Sequence, residues 1–148
     1  MALNLATCGP LGHIPLFPGT VGSLVGVAIN GLSETLLGEW SWVSVLGIGA
    51  LALWACGEGE RSLGRTDPPQ VILDEVLGMS LGLLGSEARG MYLAAGFVVF
   101  RILDILKPPP IRTVQRRFKG ALAIVGDDLL AGLGTMILMR FLSGLEVI

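Results

Sequence analysis

Five carboxylates interrupt apolar stretches of this chain. Asp74 and Glu75 break VILDEVLGMSLGLL, Asp104 lies near the end of MYLAAGFVVFRILDILK, and Asp127 and Asp128 sit inside GALAIVGDDLLAGLGTMILM. Carboxylates in membrane-length apolar segments are costly, so they mark a functional site by default. Gathering several of them suits a divalent metal held by oxygen ligands. Two further sets of residues complement them. FPGTVGS places Thr20 and Ser23 where a glycine-rich stretch leads into a helix, a geometry that offers backbone N–H groups and hydroxyls to an anion. KPPPIR sets Lys107 and Arg112 around a stiff polyproline stretch, an arrangement suited to a phosphate or phospholipid head group. Arg101 and Asp104 are three apart and share a helical face. Thr20 also serves as the expected N-cap of its helix.

These residues must be positioned by helices. The chain has 148 residues, enough for one domain (1–148), with 52% hydrophobic and only 15% charged residues. A soluble domain carries about 25% charged residues, so the composition points to a polytopic membrane protein. Five apolar segments stand out, at 20–37, 41–56, 71–86, 91–106 and 120–142. The second is uncharged and somewhat short for a bilayer, so its helix is expected to extend at one end. Between them lie a polar loop at 57–70 and a basic, proline-rich loop at 107–119. The runs lack sustained alternation, and only helices or closed barrels can span a bilayer. The expected fold is therefore all-α, a membrane-embedded bundle of about four to five helices, with glycines allowing close packing.

The basic residues orient this bundle. Lys107, Arg112, Arg116, Arg117 and Lys119 cluster in one loop and Arg61 and Arg65 in another, whereas the 85–90 turn holds only Arg89. The positive-inside rule then puts both larger loops and the N-terminal segment in the cytoplasm. Each acidic cluster falls within roughly 5–12 Å of that same face at the α-helical rise. Glu34 and Glu39 fall toward the opposite face and read as structural or solvated. No Lys or Arg precedes Arg61, so a signal-peptide n-region is lacking and the first span is expected to stay in the mature chain.

Several chemistries are disfavoured. One histidine, His13, cannot build a His-based zinc site or a paired-histidine phosphatase site. Cys8 and Cys56 form no CxxC pair, Cys8 is not followed by a phosphatase-loop arginine, and both read as small packing residues. No DxDx[TV] aspartyl-nucleophile motif is present. The basic cluster has little aromatic interleaving and sits beside membrane spans, which argues against nucleic acid. Carboxylates, cations and a membrane interface together make the kit for metal-assisted phosphoryl chemistry on a lipid. An ion-coupled transporter would spread its acids across the membrane depth, and a non-catalytic scaffold would not need them to face one another.

The motifs PLFPGTVGSL, DPPQVILDEVLGM, FRILDILKPPPIR and IVGDDLLAG, in this order and spacing, resemble the phosphatidylglycerophosphatase A family from about residue 9 to residue 140. The resemblance implies a Mg²⁺-dependent hydrolase of the bacterial inner membrane. It would convert phosphatidylglycerophosphate to phosphatidylglycerol and phosphate, with its active site at the cytoplasmic face. Its motif residues fall on Thr20, Ser23, Asp74, Glu75, Arg101, Asp104, Lys107, Arg112, Asp127 and Asp128. The acids would supply the Mg²⁺ ligands and a general base, and the cations would hold phosphate oxygens. The chain departs from the pattern at Ala121 and Ala123, positions often held by glycine, and near Gln115, where an acid is common.

Overall fold

A computed structural model describes residues 1–15, 17–86 and 90–145. Arg89, read above as part of a turn, lies outside the described residues. Seven α-helices are present among the described residues, and no strand. They are α1 (Ala2–Ala6), α2 (Pro18–Leu37), α3 (Trp42–Leu63), α4 (Leu73–Gly82), α5 (Gly90–Leu106), α6 (Ile111–Arg117) and α7 (Ala121–Gly144). The all-helical expectation holds. The five predicted segments correspond to α2, α3, α4, α5 and α7, and the bundle adds the short α1 and α6.

Three helices, α2, α3 and α7, are long and apolar enough to cross a membrane. The third predicted segment is not such a span. α4 has ten residues, about 15 Å at the helical rise, against a hydrocarbon core of about 30 Å. It is instead the buried centre of the bundle. Leu73, Asp74, Val76, Leu77, Gly78, Met79, Ser80 and Gly82 are all buried along it. The exposed large apolar residues lie elsewhere, including Leu24 and Leu36 on α2, Leu46 and Trp54 on α3, Val98 and Ile102 on α5 and Ile137 on α7. A lipid solvent explains that inversion, because no water drives those side chains inward.

α4 packs between α2 and α7 by backbone approach. A Cβ at Gly26 of α2 would come within 2.7 Å of the Met79 Cβ, and one at Gly22 within 2.8 Å of the Ile72 carbonyl. On the other side, a Cβ at Gly78 would lie 2.6 Å from the Asp128 carbonyl oxygen, and a Cβ at Gly132 would collide with the Gly78 backbone. Small residues at these crossings let the helix axes draw together. This draws the N-terminal turn of α4 toward the second turn of α7.

The ends of the helices differ from expectation in three places. α2 begins at Pro18, with Phe17 as N-cap in a left-handed conformation, so Thr20 lies inside the first turn and is not the cap. Proline's fixed φ and missing N–H suit the first helical position. α3 runs on through GEGERSL to Leu63 and ends at Gly64, in left-handed geometry. The extension foreseen for that helix is thus at its C-terminal end. The loop after α5 is not irregular throughout, because Ile111–Arg117 forms α6 with Ile111 buried. At the far end of the bundle, the Gly85 N–H donates to Glu34 Oε1 at 2.9 Å. Glu34 therefore has a structural role, reaching across to the turn that ends the short α4.

Candidate metal and phosphate site

Asp74 and Glu75 occupy the first turn of α4, and Asp127 and Asp128 the second turn of α7. The glycine crossings bring these turns face to face. One carboxylate oxygen from each of Asp74, Glu75 and Asp128 lies within 4.8 Å of the others. Asp74 and Asp128 are each 4% exposed. Asp74 Oδ1, Glu75 Oε2 and Asp128 Oδ1 are buried oxygens with no hydrogen-bond partner. Buried carboxylate oxygens are normally paired, hydrogen-bonded or bound to metal, because leaving them bare costs several kcal/mol. Three converging carboxylates, each with an orphaned oxygen among the described residues, fit a hard divalent cation. Oxygen donors alone favour magnesium, calcium or manganese over zinc or copper.

Cations form the rest of the site. Arg101, near the end of α5, donates to Asp104 Oδ2 at 2.6 Å and to the Ser23 hydroxyl at 3.5 Å. Lys107 pairs with Asp127 of α7 and lies 3.9 Å from Asp104 Oδ1. Burial works against the Lys107 charge, but the hydrogen bond and charge of Asp127, with the Asp128 and Asp104 carboxylates, outweigh it and raise its pKa. Lys107 is therefore an ammonium at neutral pH.

The α2 N-terminus closes the site. A Cβ at Gly19 would lie 2.7 Å from Glu75 Oε1 and 3.1 Å from an Arg101 guanidinium nitrogen. Any side chain there would displace one or the other. Ser23 is fully buried and its hydroxyl donates to the Gly19 carbonyl at 2.8 Å. The Thr20 and Val21 N–H groups both donate to the Phe17 carbonyl. Thr20 is half-buried beside the site, whereas Arg112 stands exposed in the first turn of α6.

The structure thus brings Asp74, Glu75, Asp104, Asp127 and Asp128 to one end of the bundle, with Arg101, Lys107 and Ser23 among them. It also separates the acids into two sets. Asp74, Glu75 and Asp128 converge with bare oxygens, while Asp104 and Asp127 are engaged with Arg101 and Lys107.

The family profile described as Phosphatidylglycerophosphatase A matches residues 4–143. The chain belongs to the phosphatidylglycerophosphatase A family. It is an enzyme of the phosphatase class. A relative named Phosphatidylglycerophosphatase A in Escherichia coli (strain K12) is 35% identical over 134 residues, 89% of this chain and 77% of its own length. The protein of that name in Haemophilus influenzae is 29% identical, over 82% of this chain and 76% of its own length. A Bacteroides thetaiotaomicron relative with a provisional name as a phosphatidylinositol-3-phosphatase is 32% identical, over 86% of this chain and 84% of its own length. No solved structure matches the chain. Membership accounts for the order of the phosphatidylglycerophosphatase A motifs along the sequence, and the bundle shows why that order works. Motifs far apart in the chain converge where α2 and α4 begin, α5 ends and α7 has completed one turn.

Sequence reasoning did not single out Asp67 and Glu60, in the segment read as a polar loop. Both line a cavity beside the acidic cluster, together with Gln115 and Lys119. Glu60 belongs to α3. Asp67 carries a positive φ of 49°, just ahead of Pro68-Pro69. An aspartate directly before two prolines was the one signal available.

Proposed function

We propose that this protein hydrolyses the terminal phosphate of phosphatidylglycerophosphate, giving phosphatidylglycerol and inorganic phosphate, with Mg²⁺ as cofactor. The single observation that carries the reading is the convergence of three carboxylates, each with an unpartnered buried oxygen, in a chain of this family. Asp74, Glu75 and Asp128 would hold the Mg²⁺. The ion supplies Lewis-acid polarisation of the phosphoryl oxygens and an acidified water.

The remaining roles fall to side chains around this triad. Lys107 and Arg101 bind the non-bridging phosphate oxygens, where their positive charge stabilises the charge that gathers in the transition state. Asp127 and Asp104 hold those two cations in place by charge-assisted hydrogen bonds. Ser23 orients Arg101 from the α2 side, and Thr20 completes the wall. Arg112, exposed on α6, attracts the anionic head group toward the site. Water attacks phosphorus and the ester P–O bond breaks, while a carboxylate of the cluster accepts a proton from the attacking water and returns it to the departing head-group oxygen, so that the alcohol and inorganic phosphate are released. The lipid-facing surfaces of α2, α3, α5 and α7 keep the acyl chains in the bilayer. The basic residues at the end of α3 and between α5 and α7 support a reading, by the positive-inside rule, in which this chemistry occurs at the cytoplasmic face of the bacterial inner membrane.

An ion-coupled transporter is the weaker reading. It calls for titratable groups along the membrane depth, whereas of the two acids near the opposite end Glu34 accepts a backbone hydrogen bond and Glu39 is exposed. The deciding measurement is phosphate release from phosphatidylglycerophosphate by the purified protein with and without Mg²⁺. Release is expected only with the metal, and full activity in EDTA would sink the metal assignment.

A further inference from the structure

A cavity of about 550 Å³ opens beside the acidic cluster, within the roughly 300–1,000 Å³ typical of small-ligand pockets. Glu60 contributes from the end of α3, and Thr66 and Asp67 from the following loop. Gln115 contributes from α6, Phe118, Lys119 and Gly120 from the residues that follow it, and Ala123 and Ile124 from the first turn of α7. Ala123 lies four residues before Asp127, and Ile124 four before Asp128, so the cavity is one α7 turn, about 5 Å, from the catalytic acids. A second groove of about 190 Å³ runs on from it between α3 and α7. The two share Glu60 and Gly120. The groove continues past Gly57 and Ala121 to Leu53 and Trp54, which are exposed on the apolar face of α3.

This sequence of environments matches a phospholipid. A groove that runs from Leu53 and Trp54 to the charged Glu58, Arg61 and Glu60 leads from the lipid-facing side to a cavity of mixed polarity, which lies one α7 turn from the metal and phosphate site. The chemistry of the cavity wall then selects its occupant. Glu60 and Asp67 outnumber Lys119 and make the wall net negative, which disfavours a second phosphate, while their oxygens accept hydrogen bonds from hydroxyls. Gln115 and Thr66 both donate and accept. We infer that the cavity is the seat of the polyol head group of the lipid substrate, with Asp67 and Gln115 as its hydroxyl-binding, specificity-determining residues. This rests on the lipid-phosphatase reading above and adds to it which part of the substrate is recognised. A glycerol and an inositol share that chemistry, and both fit the volume.

The test is binding, measured by titration calorimetry on the full-length protein in detergent micelles with Mg²⁺. The probes are inorganic phosphate, sn-glycerol 3-phosphate and myo-inositol 1-phosphate. In the unaltered protein at least one polyol phosphate is expected to bind about tenfold more tightly than inorganic phosphate, the magnitude of one or two hydrogen bonds. The tighter of the two identifies the head group. Asp67→Asn retains a residue type tolerated at positive φ, and Gln115→Leu alters the opposite wall. Each is expected to cut the polyol advantage to less than about threefold while phosphate affinity changes less. Three results would overturn the seat: no polyol advantage in the unaltered protein, an advantage kept in both variants, or equal weakening of all three probes. Because binding is read without turnover, failure to release phosphate from phosphatidylglycerophosphate would count against the proposed reaction and not against the seat.

Discussion

The two ends of the bundle treat their acids in opposite ways. At one end Glu34 reaches across to the turn after α4 and accepts the Gly85 N–H at 2.9 Å. At the other, Asp74, Glu75 and Asp128 converge with an orphaned oxygen each. The first arrangement is closed, since the acid has its partner within the chain. The second is open, since Arg101 and Lys107 are engaged with Asp104 and Asp127 and leave these three oxygens unpartnered among the described residues. An acid in an apolar helix is thus not in itself a sign of chemistry. What distinguishes the site is that its acids lack partners the fold could have provided.

The contrast is strongest in turnover. Asp74→Asn and Asp128→Asn are each expected to lower phosphate release on the order of 10³-fold or more, as loss of a catalytic centre does. Glu34→Gln should stay within about threefold. Comparable losses at both ends, read by phosphate release at saturating Mg²⁺, would erase the distinction.

A second test reads stability. Mg²⁺ that binds only the folded protein stabilises it by mass action, by about 2.7 kcal/mol at a hundredfold excess over Kd, and so raises its thermal midpoint. The midpoint of the unaltered protein and of Glu34→Gln should rise with added Mg²⁺. That of Asp128→Asn should barely move, and an equal rise in all three would break the comparison.

Lys107 divides the acids within the site. Lys107→Met leaves Asp127 buried and unpaired, a loss of about 3–5 kcal/mol in unfolding experiments, whereas Lys107→Arg should recover most of it. Because the folded-state pKa of Lys107 is raised, its stabilisation is complete below the unfolded lysine value of about 10.4. It is lost only as pH rises through the higher folded value. Stability that already fell between pH 7 and 9 in the unaltered protein, but not in Lys107→Met, would contradict this pairing.

The smallest effect concerns packing. Gly78→Ala pushes a methyl against the Asp128 carbonyl and the Phe100 ring, at a cost of about 1–3 kcal/mol. It should weaken Mg²⁺ binding as well, because it shifts α4 against α7. Gly31→Ala, where nothing lies within 4 Å of the new methyl, should do neither.

Much of this was legible in the chain. The apolar runs announced α2, α3, α5 and α7, and the basic loops correctly gathered the acids at one end. The length of α4 was hidden, because VILDEVLGMSLGLL is as apolar as a span although its helix ends at Gly82. α6 was hidden by Pro108-Pro109-Pro110, since a proline run signals a break and says nothing of the helix that starts after it. The division of the acids into a bare triad and a cation-bound pair depends on which side chains meet across α4, α5 and α7. Spacing along one chain does not carry that information. Asp67 was passed over because a polar residue in a polar loop has no contrast with its neighbours.

The glycine seam on both sides of α4 has a wider consequence. Where main chain rests on main chain, the gap between two helices is a ruler graduated in atomic radii, indifferent to rotamers. The spacing between Asp74 and Asp128 is set by that ruler at Gly78 and Gly132. The outward faces of α2, α3, α5 and α7 have no part in it. Those faces can drift with the thickness and composition of the surrounding bilayer while the acidic triad keeps its dimensions.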